Sequence, residues 1–366
     1  MKALVLGVGR MGTAIAYAMD KLGFDVIGMD TSARAVDNMP KSSERSHRFY
    51  IVNDVEDIFA KTVSHGSRPD IVISSLPYHQ TEEVGTWCVD NEIRYCDLGG
   101  RVDVSENINE WAKKKATKPV FTDLGLAPGW VNILAEQGCK RVHGPIDNVK
   151  MMVGGLPAVP VNPPFNYTVT WSTDGLINEY RDDCLVLLDG KVVEVAGMRG
   201  KETVYSKWLA QDMEAFFTSG GASHSIPDMQ KRGIKNCSYK TLRYEGHCDV
   251  VKTLIRKTGL SDESLAKVFE NGCGKGANDI VVIKAIVESG DLKWDKEIII
   301  GYDTKFSAMQ KATAFSISSV AKIMAEGYFD KRIVQNRGGD ITLPVVLKYS
   351  DVPYDKFEKN LKELGL

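Results

Sequence analysis

The stretch that decides the fold is residues 1–30, MKALVLGVGRMGTAIAYAMDKLGFDVIGMD. Its apolar run at residues 2–6 has the length of a strand, and the pattern G-x-G-x-x-G follows at once at residues 7–12. Apolar residues then recur at helical spacing, and a second β-rich run at residues 25–29 ends on Asp30. The sequence therefore predicts strand, glycine turn, helix and strand, which is the context that a dinucleotide-binding turn requires.

Each glycine of this turn has a mechanical reason. Gly7 allows the tight turn, Gly9 lets the backbone approach a pyrophosphate, and Gly12 lets the helix lie against the strand. The N-terminus of the helix offers N–H groups and a positive dipole to the anion. The cofactor-binding residues predicted in this segment are those of the turn and of the acidic strand end: Gly7, Gly9, Arg10, Met11, Gly12, Asp30 and Thr31.

The acidic end of the second strand bears on the choice of cofactor. Asp30 can accept hydrogen bonds from a ribose diol, and its charge would repel a 2′-phosphate, which favours NAD. Ser32 and Arg34 follow closely and could receive a phosphate, so NADP stays open.

Composition narrows the class of protein. The 366 residues predict two domains, and the formal net charge of −2 gives no electrostatic reason to expect nucleic acid or a membrane surface as partner. The chain enters its first strand without a signal peptide, and we expect a cytoplasmic protein. The seven cysteines lack metal-ligand spacing, so we expect reduced, buried thiols and no metal site.

Strand and helix patterns alternate up to about residue 123. The buried run at residues 70–77 ends in a proline-stopped loop, where Ser74, Ser75 and Leu76 are candidate cofactor contacts or, alternatively, a purely structural strand end. Two later strands end on acids: Asp97, followed by the candidate contact Leu98, and Asp123. In a parallel sheet both acids face the crevice of the glycine turn, although each could instead cap the following helix.

Beyond about residue 145 the pattern changes to β-formers, prolines and a hairpin at residues 185–195, with a further strand expected at residues 167–172. The prediction is an α/β protein: an N-terminal Rossmann dinucleotide-binding domain, residues 1–123 plus 305–366, and a second α+β substrate-binding and oligomerisation domain on a mixed, largely antiparallel sheet, residues 124–304. An alanine-rich helix at residues 309–326 is expected to return to the first domain. The cluster at residues 272–276 lacks phosphate-loop spacing and predicts a turn.

Six blocks of sequence resemble one known family. They are DLGLAPG at 123–129, GGLP at 154–157, NY with WS at 166–172, GLINEY at 175–180, FTSGG at 217–221 and TLRYEGH at 241–247. In this order they are similar to the saccharopine dehydrogenase family, and GLINEY and TSGG look most like its lysine 6-dehydrogenase branch.

The resemblance implies an NAD(P)-linked oxidation of a C–N bond on a basic amino acid held between the two domains, in a homo-oligomer. Lysine 6-dehydrogenase would form 2-aminoadipate semialdehyde and ammonia. The alternatives are a saccharopine dehydrogenase, a carboxyspermidine-type reductive coupling enzyme, or a nicotinamide-binding sensor without turnover.

Oxidation of an amine requires a base, because hydride leaves only from a carbon whose nitrogen has lost its extra proton. The candidate catalytic residues are Asp123, at a strand end, and His247, whose ordinary pKa suits proton transfer near neutrality. The other histidines are expected to be structural: His47, His65, His79, His143 and His224.

The substrate needs partners for its charged groups. Arg243 can bind a carboxylate with a bidentate fork, or it could form an interdomain salt bridge. Asn178 and Glu179 could hold an amino group, and Tyr167 and Trp171 could exclude water, although Trp171 also suits a core. Thr313, at the start of the returning helix, completes the predicted substrate-binding set.

Overall fold

The computed structural model describes residues 1–37, 39, 47–64, 68–274, 276, 278–330 and 345–366. The chain divides into two compact units: unit 1 is Met1–Trp130 with Thr313–Leu366, and unit 2 is Val131–Ala312. Three sequence predictions fall wholly or partly outside the described residues: the structural role of His65, the part of the predicted turn at Lys275, and residues 331–344 of the predicted first domain.

Unit 1 is built on a six-stranded parallel sheet, in the order β3-β2-β1-β4-β5-β6. Its strands are β1 (Lys2–Leu6), β2 (Asp25–Asp30), β3 (Arg48–Ile51), β4 (Ile71–Ser74), β5 (Arg94–Asp97) and β6 (Val120–Phe121). Its helices are α1 (Arg10–Lys21), α2 (Ala33–Asp37), α3 (Val55–Ser64), α4 (Tyr78–Asp90), α5 (Val102–Lys115), most of α11 (Ala308–Ala325) and α12 (Tyr354–Glu363).

This strand order confirms the predicted Rossmann fold. The order reverses between β1 and β4, and ligands of such sheets bind outside the carboxyl ends of the strands at that point. The core explains why these segments fold this way: Ala3 and Val5 of β1 and Ile15 and Met19 of α1 are fully buried. The loops that follow β1 and β4 therefore carry the candidate cofactor residues.

Unit 2 contains a mixed eight-stranded sheet. Its main path runs β10-β11-β12-β7-β13-β14, with β8 paired to β12 and to β9. The strands are β7 (Asn148–Pro157), β8 (Cys184–Leu188), β9 (Lys191–Val195), β10 (Glu202–Ser206), β11 (Gln211–Phe217), β12 (Asn236–Arg243), β13 (Asp279–Ser289) and β14 (Leu292–Gly301). The helices are α6 (Trp130–Arg141), α7 (Thr173–Arg181), α8 (Ser225–Lys231), α9 (His247–Lys257) and α10 (Asp262–Cys273).

The second sheet is largely antiparallel, as predicted, because β12 with β7 is the one parallel pair among the strands described. The hairpin at residues 185–195 is confirmed, with Asp189 and Gly190 both at positive φ. The strand expected at residues 167–172 is wrong. Tyr167 and Thr170 are both buried, so the stretch lacks an exposed side, and Ser172 instead caps α7 by accepting the Gly175 N–H at 3.1 Å.

An aromatic core lies between the helices of unit 2. Tyr180 of α7, Val251 of α9, Phe269 of α10 and Phe216 of β11 are fully buried within it. This packing brings the end of α7, the end of β12 and the start of α9 together. In the described ranges, no helix combines the length and apolar composition needed to cross a membrane.

Candidate functional site

The glycine turn of unit 1 has the shape that a pyrophosphate requires. A Cβ built on Gly12 would lie 1.8 Å from the Gly7 carbonyl oxygen, so only glycine lets α1 begin this close to β1. A Cβ built on Gly9 would meet nothing within 4 Å, which leaves open space before the turn. No side chain caps the N-terminus of α1, and its first turn contains no acidic residue. These features fit a dinucleotide phosphate.

The loop after β4 is fastened to this turn. Ser75 Oγ donates a hydrogen bond to the Gly7 carbonyl at 2.7 Å, and a Cβ on Gly7 would lie 3.2 Å from Leu76 Cδ2. Ser74 is buried, and its hydroxyl accepts the Leu76 N–H at 3.4 Å. The predicted contacts Ser75 and Leu76 therefore border the turn, whereas the Ser74 side chain supports the loop from inside.

The acidic end of β2 forms a turn of its own. Asp30 Oδ1 accepts the Ser32 N–H at 2.8 Å, and Thr31 is exposed beside it. The carboxylate is partly exposed at the carboxyl end of a strand beside β1, where a ribose would bind. Arg10 and Met11 open α1, the first exposed and the second half-buried.

The two acidic strand ends interact with each other. Asp97 Oδ1 accepts the N–H groups of Gly99 at 2.8 Å and of Asp123 at 3.0 Å. Its side chain is 1% exposed. Burial, and next the Asp123 charge, raise the pKa of Asp97 to about 7. The carboxyl group of Asp97 thus orders the loop that carries Leu98, and the role of both residues as cofactor contacts stays a prediction.

Asp123 has an unusual backbone, with φ at +59°. Its Oδ1 accepts a hydrogen bond from Ser105 Oγ at 2.7 Å, and the residue is 8% exposed. The loop that follows lies beside the returning helix, since a Cβ on Gly125 would be 3.5 Å from Thr313 Cγ2. Thr313 thus lies in unit 1 near the Asp123 loop.

Unit 2 brings four predicted residues together with Tyr180, which was not predicted. We call these five the arginine cluster: Arg243, Tyr167, Tyr180, His247 and Glu179. Arg243 Nε donates to Tyr180 Oη at 2.7 Å, and Nη1 donates to the Leu242 carbonyl at 2.9 Å. The guanidinium carbon lies 4.7 Å from the centre of the Tyr167 ring.

The guanidinium of Arg243 keeps its charge although the residue is 3% exposed. Burial alone would lower its pKa, but Tyr180, Tyr167 and Glu179 outweigh that effect and raise the pKa above its ordinary value. Arg243 makes no ion pair with a carboxylate among the described residues, so the interdomain salt bridge considered from the sequence is absent from this part of the chain.

His247 does not match its predicted chemistry. The residue is fully buried, its Nδ1 lies 2.7 Å from the Phe165 carbonyl and its Nε2 lies 3.0 Å from Tyr180 Oη. Burial, and next the Arg243 charge, lower its pKa to about 3, against a smaller opposing effect of the Phe165 carbonyl. The prediction that His247 titrates near neutrality as a base is therefore wrong in this environment.

Glu179 is held by two threonines. Its Oε1 accepts hydrogen bonds from Thr218 Oγ1 at 2.9 Å and Thr241 Oγ1 at 2.7 Å. Thr241 and Arg243 are two residues apart on β12, so their side chains share one face of the strand. A carboxylate and a guanidinium thus lie along the same short stretch of sheet.

Two predicted residues lie outside the arginine cluster. Asn178 is exposed on α7, and only its backbone carbonyl contacts Ser219. Trp171 is half-buried and packs on Gly175, where a Cβ would lie 2.6 Å from its ring. Trp171 therefore follows the core alternative, and the Asn178 amide has no part in this arrangement.

Sequence reasoning missed Tyr180, Thr218 and Thr241. Tyr180 ends the GLINEY block directly after Glu179, and Thr218 and Thr241 stand in the FTSGG and TLRYEGH blocks, so each carried a signal. In the sequence these three residues resemble ordinary core residues. Only the packing of α7 on β12 shows that their hydroxyl groups form hydrogen bonds with Glu179 and Arg243. Among the described residues, no group of three or more histidine, cysteine or acidic side chains is arranged to hold a metal ion.

Two family models match the chain. The model of the saccharopine dehydrogenase NADP binding domain matches residues 3–120, and that of the saccharopine dehydrogenase C-terminal domain matches residues 125–346. Together they cover both units.

Curated relatives share part of this sequence. Saccharopine dehydrogenase (NADP+, L-glutamate-forming) of Pyricularia oryzae is 27% identical over 225 residues, 58% of this chain and 47% of that protein. Mitochondrial alpha-aminoadipic semialdehyde synthase of Rattus norvegicus is 26% identical over 204 residues, 54% of this chain and 21% of that protein. The matched segments thus span less than half the length of these relatives.

A solved structure has a similar fold. Apo histidine-tagged saccharopine dehydrogenase (L-Glu forming) from Saccharomyces cerevisiae aligns with a TM-score of 0.72 at 16% identity, over 100% of this chain and 97% of that one. At this identity the likeness shows the fold alone.

Proposed function

Because the chain belongs to the saccharopine dehydrogenase family, we propose that it is a nicotinamide-dependent oxidoreductase that oxidises a C–N bond of a lysine-type amino acid. Unit 1 binds the dinucleotide in this proposal. The arginine cluster of unit 2 binds the α-amino acid group of the substrate.

The observation that carries the proposal is the buried charge of Arg243. Its hydrogen bonds go to a phenol and a carbonyl, and no carboxylate of the described residues pairs with it. Buried charges in proteins are ordinarily paired, because leaving water is costly. A substrate carboxylate supplies the missing partner, and the planar guanidinium suits its two oxygens.

The carboxylate of Glu179 complements the other half of an amino acid. The two threonine hydroxyls fix Oε1, which orients the carboxylate toward an ammonium group. The cluster offers one guanidinium and one carboxylate, the complement of a single α-amino acid group. We therefore propose lysine as the substrate and lysine 6-dehydrogenase as the activity.

The reaction balances as one hydride transfer and one hydrolysis. The lysine side-chain ammonium, NAD and water give the semialdehyde of 2-aminoadipate, NADH, ammonium and one proton. When bound, the dinucleotide supplies the acceptor for the hydride that leaves the amine-bearing carbon. Asp123 is the proposed acceptor of the proton that the ammonium must first lose, since His247 is fully buried and both of its ring nitrogens are engaged by Phe165 and Tyr180.

A second candidate is saccharopine dehydrogenase, which the names of the relatives favour. Saccharopine joins lysine to a glutamate moiety and thus carries further carboxylates, each of which needs a cation or N–H donors beyond the arginine cluster. For the cofactor, Asp30 favours NAD, whereas the family model is described as an NADP binding domain, so both dinucleotides belong in the test.

The test follows reduced nicotinamide with lysine or saccharopine as substrate and NAD or NADP as cofactor. We expect lysine with NAD to give reduced cofactor and ammonia in equal amounts. Reduction with saccharopine alone, with release of glutamate, would replace the first candidate by the second. A protein that binds NAD but reduces it with neither substrate would overturn both and favour the sensor.

Arg243→Lys supplies the matched variant, because it keeps the charge and removes the planar fork. We expect the KM for lysine to rise about tenfold or more, the cost of losing charge-assisted hydrogen bonds. An unchanged KM would contradict the carboxylate assignment.

A further inference from the structure

We infer that Tyr180 and His247 form a buried hydrogen-bond relay that orients the Arg243 guanidinium for the substrate carboxylate. The inference rests on the proposed function and deepens it by assigning two positioning residues. Tyr180 was not among the residues singled out from the sequence, and His247 receives a role other than that of a base.

The direction of every hydrogen bond in the relay follows from its two ends. Arginine can only donate, so Tyr180 Oη accepts from Arg243 Nε at 2.7 Å. The Phe165 carbonyl can only accept, so His247 Nδ1 carries the proton in the bond of 2.7 Å. A second positive charge on the fully buried imidazole beside the Arg243 guanidinium would be costly, so His247 is neutral and its Nε2 has a lone pair. Tyr180 Oη then donates its proton to His247 Nε2 at 3.0 Å, and this arrangement satisfies all three bonds.

Burial keeps the relay in this arrangement. Tyr180 and His247 are both fully buried, and burial raises the pKa of Tyr180 well above its ordinary value. The lowered pKa of His247 keeps the imidazole neutral throughout the physiological range. The relay therefore does not switch with pH near neutrality, as expected of a fixed support.

The relay leaves a binding edge on Arg243. The described residues accept hydrogen bonds from Nε and from Nη1, two positions of a group with five N–H donors. The Tyr167 ring stacks on the guanidinium carbon at 4.7 Å and restricts its rotation. The remaining donors of the guanidinium are thereby held in one plane without a carboxylate partner among the described residues.

Tyr167 gives an independent sign of a ligand. The residue is fully buried, with the Trp171 side chain beside its hydroxyl, and the hydroxyl makes no hydrogen bond of good geometry with the described residues. A buried hydroxyl without a partner costs about 1–3 kcal/mol, so natural proteins seldom keep one without a reason. A carboxylate bound to Arg243 would offer an acceptor to this hydroxyl as well.

An arginine side chain is flexible, and fixing it upon binding costs affinity. A relay that fixes Nε beforehand lowers that cost, so its loss should weaken carboxylate binding in particular. If the relay had a merely structural role, its loss would lower the affinity for every ligand to the same extent. The two roles can therefore be separated by a ligand pair that differs only in the carboxylate.

Lysine and cadaverine, the diamine that remains when the carboxylate of lysine is removed, form such a pair. We would measure the Kd of each by calorimetry in the wild type and in Tyr180→Phe, His247→Asn and His247→Gln. The selectivity for lysine is the Kd of cadaverine divided by the Kd of lysine. We expect Tyr180→Phe and His247→Asn to reduce this selectivity about tenfold.

The two histidine variants test the direction of the relay. Glutamine reaches the position of Nε2 and can keep an acceptor for Tyr180, whereas asparagine reaches only the position of Nδ1. His247→Gln should therefore retain more of the selectivity than His247→Asn. If both variants abolish turnover while the selectivity stays at the wild-type value, His247 acts on the reaction directly and the relay is overturned.

Tyr244→Phe is the matched control. Tyr244 is 3% exposed, and its hydroxyl donates to the Pro157 carbonyl at 2.9 Å. Its backbone carbonyl accepts the His247 N–H at 3.4 Å, a bond that the substitution leaves in place. It should lower the melting temperature without changing selectivity. Equal selectivity in Tyr180→Phe, Tyr244→Phe and the wild type would overturn the relay.

Calorimetry also separates this inference from the proposed function. Suppose that the wild type oxidises no amino acid but binds lysine better than cadaverine, and that Tyr180→Phe removes this difference in affinity. The proposed activity is then wrong, and the relay is supported. If the wild type binds both ligands equally, Arg243 does not bind the carboxylate, and the relay is overturned even where lysine is oxidised.

Discussion

At the scale of single residues, Asp97 shows how burial changes a carboxyl group. Its pKa of about 7, against an ordinary 3.8, means that the folded protein holds a proton that the unfolded chain releases at lower pH. The pKa of this carboxyl group is therefore higher in the folded state than in the unfolded chain. Its ionisation therefore costs stability progressively as the pH rises from about 4 to about 7, and below that window the cost is absent.

Asp97→Asn should relieve that cost, because the amide keeps an oxygen for the Gly99 and Asp123 N–H groups and cannot ionise. The free energy of unfolding of the variant relative to wild type should rise by at most about 3 kcal/mol between about pH 5 and about pH 8. Urea denaturation at the two pH values measures the difference. A difference that does not change with pH would show that Asp97 does not titrate in this range.

Asp123→Asn tests the proposed base without disturbing the loop. Asparagine tolerates the positive φ of this position and keeps an oxygen for Ser105, whereas alanine would do neither. Turnover should fall at least about 100-fold, while the Kd for NAD stays near its wild-type value. A fall of less than tenfold would remove Asp123 from the role of base.

The sequence predicts which charged groups are available where the type of side chain decides it, as for Arg243 and Glu179, and their roles toward a substrate stay predictions. The pKa values of His247 and Asp97 could not be predicted, because they depend on burial and on neighbours distant in sequence. Asp97 is buried next to Asp123, and His247 packs against Arg243 and Tyr180. No local pattern reports those environments.

At the scale of elements, the start of α9 depends on another strand. Gly246 has φ at +90° and caps the helix without a side chain, and the first N–H groups bond instead to Glu214 of β11. Glu214 accepts from Gly246 N at 3.0 Å and from Cys248 N at 2.9 Å, and it is 7% exposed. Since α9 begins with His247, Glu214 also fixes the support of Arg243.

Glu214→Gln should lower the free energy of unfolding by about 1–3 kcal/mol, since a neutral amide offers one acceptor where the carboxylate offers two. Asp249→Asn is the control, because Asp249 lies in the same first turn with a 69% exposed side chain and should change stability little. Thermal unfolding of both variants measures the effect. Equal melting temperatures would mean that Glu214 does not cap the helix.

Elements with a regular local pattern were predicted well. Segments whose structure depends on pairing with distant strands were predicted poorly. The glycine turn, the alternating elements of unit 1 and the hairpin around Asp189 each carry a local signal, and each is confirmed. The stretch at residues 167–172 has the composition of a strand but forms no strand with the described strands and contains only a bridge residue at Val169, because whether a segment pairs depends on the rest of the sheet. Strand β13 was missed since nearly every residue is buried and no alternation marks it.

At the scale of the whole molecule, the family fold is retained at low sequence identity. The chain aligns over its full length with the yeast enzyme at 16% identity, and the Rossmann and mixed sheets are those that strand order predicts. The predicted domain boundaries at 123 and 304 can be set beside the compact units, which divide after residues 130 and 312. In our proposal, substrate identity depends instead on a few side chains, such as those of the arginine cluster.

The central claim is that the carbon bearing the lysine side-chain amine is oxidised, and deuterium transfer tests it most directly. Lysine deuterated at carbon 6 would be incubated with the protein and NAD, and lysine deuterated at carbon 2 would serve as control, with mass spectrometry of the reduced cofactor. The account predicts deuterium in the reduced cofactor from carbon 6 and none from carbon 2. Deuterium from carbon 2, or reduced cofactor without deuterium from either position, would contradict it.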